Sequence, residues 1–145
     1  MSPELAWWLV QRHEDFKGFA TAASVLKELI KVQEKQETKS HINTLDLLPT
    51  VPTTNQLRIR LALLHERLDQ WKDASEVYKT VTETFEQDKK EARVLFAYGR
   101  ALRRTGNKED LELGIKVFGE VVQLKAVEAK DEFWKKMAQE ALDNR

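Results

Sequence analysis

Leu95-x-x-Tyr98-Gly99-x-x-Leu102-x-x-x-Gly106, followed after a polar turn by Gly114-Ile115-x-x-Phe118-x-x-Val121-Val122, is the stretch on which the fold turns. Apolar residues recur there at steps of three and four, the period of a helix with one buried face. Gly106 stands just past the first segment, where a residue of left-handed conformation ends a helix. Each segment carries a small residue close to large ones: Gly99 beside Tyr98, and Gly114 four before Phe118. Two helix axes about 8–10 Å apart leave no room for a branched side chain at the point of closest approach. The pattern predicts a packed helix pair.

Weaker copies lie on either side. Ala22–Leu26–Leu29 and Ala74–Tyr78–Val81 share the small–large–large spacing of Gly114–Phe118–Val121. Upstream, Leu9–Val10, Leu61–Ala62, Tyr98–Gly99 and Met137–Ala138 supply the matching step on the first helix of each pair. These positions resemble the tetratricopeptide repeat, a helix–turn–helix unit of about 34 residues. The resemblance covers most of the chain outside residues 33–54. It implies an all-α fold, a right-handed superhelical array of about three such repeats with a C-terminal capping helix. The units run over residues 3–39, 55–88 and 89–125, the closing helix over 128–143 and a loop over 40–54, all in one domain of 145 residues. The chain departs from the family in three ways. Ala22 and Ala74 stand 52 residues apart, an insertion of about 18 against the repeat period. The third unit has about three extra residues, expected in its internal turn. No unit ends in the family's proline.

The same reading gives seven helices. Ser2 caps the first and Pro3 opens it, with Leu5, Trp8, Leu9 and Phe16 recurring at helical spacing. Ala22, Val25, Leu26, Leu29 and Ile30 stripe the second. Thr54 is expected to cap the third, whose buried face is Leu57, Leu61, Leu64 and Leu68, with Asp69 as its breaker. Trp71, Ala74, Val77, Tyr78, Val81 and Phe85 mark the fourth. Asp88 and Glu91 form a capping-box-like start for the fifth. Asn107 and Asp110 are expected at the head of the sixth, with Leu111, Ile115, Phe118 and Val122 facing inward. A break near Ala126–Asp131 separates it from a seventh carrying Trp134, Met137, Ala138 and Ala141.

Composition narrows the function. Hydrophobic residues at 41% and charged residues at 33% describe a folded, heavily charged chain. Basic and acidic residues balance at 24 each, which argues against wholesale nucleic-acid binding. No run approaches the roughly 18 apolar residues that cross a bilayer, so no membrane role is expected and the cytoplasm is the expected compartment. Leu5–Val10 is too short, and lacks the basic lead, for a signal peptide. There is no cysteine, hence no disulfide framework. His13, His41 and His65 are too scattered for a ligand set. No phosphate loop, nucleophile elbow or zinc motif appears, and neither cofactor, metal nor catalysis is expected.

Arginine placement is the sharper signal. Seven of the nine arginines (58, 60, 67, 93, 100, 103 and 104) fall in the first helices of units two and three. On the repeat resemblance, first helices line the concave face. A groove is then implied between Trp7, Gln11, Ile59, Arg60, Leu63, Arg67, Phe96, Arg100 and Arg103 (or Arg104 in place of Arg103). The expected partner is a protein or peptide segment bearing carboxylates and large apolar side chains, whose register arginine forks would set. The family's clamp for a C-terminal carboxylate does not carry over, because Trp7, Gln11, Arg60, Arg93 and Ala97 stand at its positions and only Arg93 keeps its chemistry. Two other readings stay open: phosphate contacts through the same arginines, and a homodimer through the N-terminal end at Trp7 or Trp8.

Overall fold

The chain is all-helical among its described residues, as the periodicity predicts. The structure, a computed structural model, describes residues 2–39, 51–85, 90–124 and 129–144. The helices are α1 (Pro3–Asp15), α2 (Phe19–Lys39), α3 (Thr54–Arg67), α4 (Trp71–Glu83), α5 (Ala92–Arg104), α6 (Lys108–Gln123) and α7 (Ala129–Asp143). No described helix is long and apolar enough to cross a membrane. They belong to two compact units, Met1–Asp69 and Gln70–Arg145. The boundary falls in the connection expected to join the second helix pair.

Local chemistry explains the helix ends. Ser2 Oγ accepts from the Leu5 amide at 3.2 Å, and Pro3 occupies the first turn, where its missing N–H costs nothing. The cap of α3 is Thr53, one residue earlier than expected. Thr53 Oγ1 accepts from the Gln56 amide at 3.2 Å and Gln56 Oε1 accepts from the Thr53 amide at 2.9 Å, a complete capping box. Thr54 is instead buried, donating to Gln33 Oε1 at 3.3 Å. Glu91 precedes α5 but its side chain makes no capping bond, and Asp88 lies outside the described residues. Asn107 caps α6 through the Glu109 amide at 2.8 Å.

The helices α1, α3 and α5 end alike. Each closes on one C-cap residue and then a left-handed residue: Lys17 at φ 58°, Asp69 at φ 57° and Gly106 at φ 79°. Each connection is three residues long (16–18, 68–70, 105–107). The extra length of the third unit is therefore not in its turn. It is in α6, which has 16 residues against 13 in α4, so its small residue Gly114 sits one helical turn further along.

In unit 1, α2 packs against both α1 and α3. The core is Val10, Ala22, Leu26, Leu29, Leu57, Leu61 and Ala62, each large member contributing roughly 1.5–3 kcal/mol. The α1 stripe departs from expectation. Leu5, Trp8 and Phe16 are 47%, 52% and 75% exposed, while Ala6 and Val10 are buried. α1 is apolar on two faces, and the face with the smaller side chains permits the closer approach to α2.

In unit 2, α5 is central, packed by α4, α6 and α7. Val94, Leu95, Phe96, Tyr98, Ala101 and Leu102 are all buried on it, so it is apolar nearly all round. α5 and α6 meet backbone to backbone. A Cβ on Gly99 would lie 2.8, 2.9 and 3.2 Å from Phe118 ring atoms, and one on Gly114 would lie 3.1 Å from the Gly99 carbonyl oxygen. Rings close the unit: Phe96 lies 5.4 Å from both Phe118 and Trp134, centroid to centroid. α6 and α7 are separate helices that pack on each other. Leu111, expected inward, is exposed at the head of α6, where Asp110 takes the buried place.

Candidate functional site

The expected site residues divide between the units. Trp7, Gln11, Ile59, Arg60, Leu63 and Arg67 belong to unit 1, and Phe96, Arg100 and Arg103 to unit 2.

On α1, Trp7, Gln11 and Glu14 follow at four and three residues and so share a face. On α3 the same holds for Arg60, Leu63 and Arg67. The two rows meet through Arg60. Its Nε donates to both carboxylate oxygens of Glu14 at 3.0 Å, and its Nη2 donates to Oε2 at 2.7 Å. Its guanidinium also lies over the Trp7 ring, 5.5 Å from the centroid. Glu14 is 16% exposed and Arg60 43%. The Glu14 hydrogen bond raises the Arg60 pKa further, burial opposing it, so this cation holds its charge at any ordinary pH. Leu63 is 42% exposed beside it, Gln11 is exposed, and Ile59 and Trp7 are half-buried. Arg67 stands over the Phe19 ring at 5.8 Å. Arg58 joins α3 to α2 through Glu34 at 2.7 Å.

Glu14 is the residue that sequence reasoning missed. It lies 46 positions from Arg60, and its only local signal is its place one turn beyond Gln11 on the Trp7 face.

In unit 2 the expected residues have other surroundings. Phe96 is 8% exposed, its ring in the Phe118–Trp134 cluster, so it is a core side chain. Arg100 is half-buried. Arg103 is exposed at the edge of a hollow that it lines with Leu111, Ile115, Phe118 and Ala141. Arg104 instead covers the Trp71 ring at 4.8 Å. Asp110, expected as a helix-start residue, is buried and receives Lys72 Nζ at 3.1 Å and the Thr105 hydroxyl at 2.9 Å. This brings α4, α5 and α6 together at one carboxylate.

No group of three or more His, Cys, Asp or Glu side chains that could hold a metal occurs among the described residues. His65 is buried and His13 half-buried. His41 lies outside the described residues, as does most of the loop expected over 40–54. No protein-family model matches the chain, and no curated protein or solved structure matches it.

Proposed function

We propose that this chain is an interaction module that takes an acidic, apolar segment of another protein on the shared face of α1 and α3 and performs no chemistry of its own. The supporting observation is the state of Arg60. One edge of its guanidinium is fixed on Glu14, which holds the fork in a single orientation. Nearly half of the side chain still meets solvent, and Nη1 makes no bond among the described residues. A ligand carboxylate would take that outer edge, with Leu63 and Trp7 offering apolar contact on either side. Glu14 offsets part of the charge, so recognition depends on the apolar partner as much as on the acid. A hydrogen bond to a charged group contributes roughly 1.5–3 kcal/mol.

In this reading α1 and α3 are the first helices of tetratricopeptide-like units. The recurring three-residue connection with its left-handed residue supports that assignment.

Selection of a displayed library of short random peptides on the immobilised protein tests the proposal. Enriched sequences should combine aspartate or glutamate with leucine, phenylalanine or tryptophan. Arg60→Glu combined with Leu63→Asp should weaken them at least tenfold while leaving the helical circular-dichroism signal unchanged. Enrichment of basic peptides, or binding indifferent to the double variant, would sink it.

A further inference from the structure

Unit 2 contains a hollow of about 440 Å³ among α5, α6 and α7, lined by Arg103, Leu111, Ile115, Phe118 and Ala141. That volume lies within the range of small-molecule sites, which are mostly apolar with a few polar groups that fix orientation. Among the described residues, four of the five that line the hollow are apolar and none is a carboxylate. Arg103 is exposed at its edge and makes no ion pair among the described residues. It contrasts with Arg60, Arg58 and Lys72, each answered by a carboxylate.

The complementary occupant follows from charge and polarity. A strongly polar molecule would lose hydration against Leu111, Ile115 and Phe118 without replacement. A cation would be repelled by Arg103, and a neutral hydrocarbon would leave the guanidinium without a partner. An apolar chain ending in a single carboxylate satisfies both ends, because the arginine fork matches a carboxylate in geometry as well as charge.

We infer that this hollow binds a small amphipathic carboxylate, its alkyl chain against Ile115 and Phe118 and its head group on Arg103. The site belongs to unit 2 and stands independently of the α1–α3 face.

Amide NMR titration of the full chain with decanoate, decanol and decyltrimethylammonium, each below its micelle concentration, tests the inference. Decanoate should produce saturable shifts centred on residues 103, 111, 115, 118 and 141. Decanol should bind about tenfold more weakly, and the ammonium compound more weakly still. Octanoate, two methylenes shorter, should also lose about fifteenfold against decanoate, since each buried methylene is worth roughly fourfold. Arg103→Gln should bring decanoate down to the affinity of decanol without changing decanol. Ala141→Leu, which fills the hollow, should weaken both. Arg60→Glu with Leu63→Asp should change neither, which separates this site from the peptide face. Absence of saturable shifts, shifts spread over other helices, equal binding of the ammonium compound, or an unaffected Arg103→Gln variant would each overturn the inference.

Discussion

Units 1 and 2 hold their helices together by different means. In unit 1, beside the buried Leu57, Leu61 and Ala62, polar links tie α3 to its neighbours: Arg60 to Glu14, Arg58 to Glu34, and the buried Thr54 to Gln33. In unit 2 the comparable work is done by close approach, with Gly99 against Phe118 and Gly114 against the Gly99 carbonyl, closed by the Phe96–Phe118–Trp134 rings. Packing at van der Waals distance tolerates almost no change of volume. A partly exposed ion pair can be lost to water at modest cost. Unit 2 should therefore be the more brittle towards substitution where α5 meets α6. In both units salt should act mainly through the partly exposed pairs, Lys72–Asp110 in unit 2 and those of Arg58 and Arg60 in unit 1.

The largest effect that would expose this contrast is at Phe118. It is 3% exposed and touches both Gly99 and Phe96. Phe118→Ala should destabilise unit 2 by about 3–5 kcal/mol, read by urea unfolding followed through Trp71 and Trp134. Gly99→Ala comes next. The added methyl meets a core ring at under 3 Å, so the ring or the α5–α6 spacing must yield. Overpacking of this kind costs about 1–3 kcal/mol, and the better helix propensity of alanine, about 1 kcal/mol, offsets it only in part. A Gly99→Ala variant as stable as the parent would show that α5 and α6 can separate freely, and the contrast between the units would fail.

Unit 1 supplies the smaller, salt-sensitive counterpart. Glu14→Gln keeps the shape and removes the charge that fixes Arg60. The loss should be about 1 kcal/mol, toward the lower end for a charged hydrogen bond because Arg60 is more than a third exposed and screened by water. Added salt should lower the stability of unit 1 more in the parent than in the variant, which keeps Arg58–Glu34 but no longer has the Arg60–Glu14 pair to screen. Fluorescence of Trp7, beside Arg60, reports the change directly.

What could be read in the sequence was what spacing alone determines. The helices, the close-approach residues Gly99 and Gly114, the left-handed Gly106 and a break before Trp134 all follow from local periodicity and turn chemistry. Which face a helix buries was less legible. The stripe Leu5–Trp8–Phe16 has the right period for a core, yet α2 sits on the neighbouring Ala6–Val10 face because small side chains let it come nearer. Charge partners were hidden for a different reason. Glu14 with Arg60 and Asp110 with Lys72 are joined across 46 and 38 residues, and helical period says which residues share a face but not which element faces them. Phe96 shows the converse: α7 covers a ring that its own helix would leave open.

The smallest effect concerns pH, and it belongs to unit 2, which holds both tyrosines of the chain. Burial pushes the Tyr98 phenol pKa above its ordinary value of 10.0, and the carboxylates of Glu83, Asp110 and Glu120 push the same way. The folded unit thus keeps the phenolic proton more tightly than the unfolded chain does. Below pH 10 both states are protonated and the group is neutral to stability. Above it the unfolded chain ionises first, so stability falls as pH rises through the tyrosine range. Tyr98→Phe should be nearly silent at pH 7 and should flatten the decline of unit 2 as pH rises above the ordinary tyrosine value of 10.0, while unit 1 declines as in the parent. Thermal melts across that rise, read separately through Trp7 and Trp134, make the comparison. An unchanged alkaline slope in the variant would mean that Tyr98 ionises in the folded unit as freely as in water, and that the α5 core is more open there than its packing indicates.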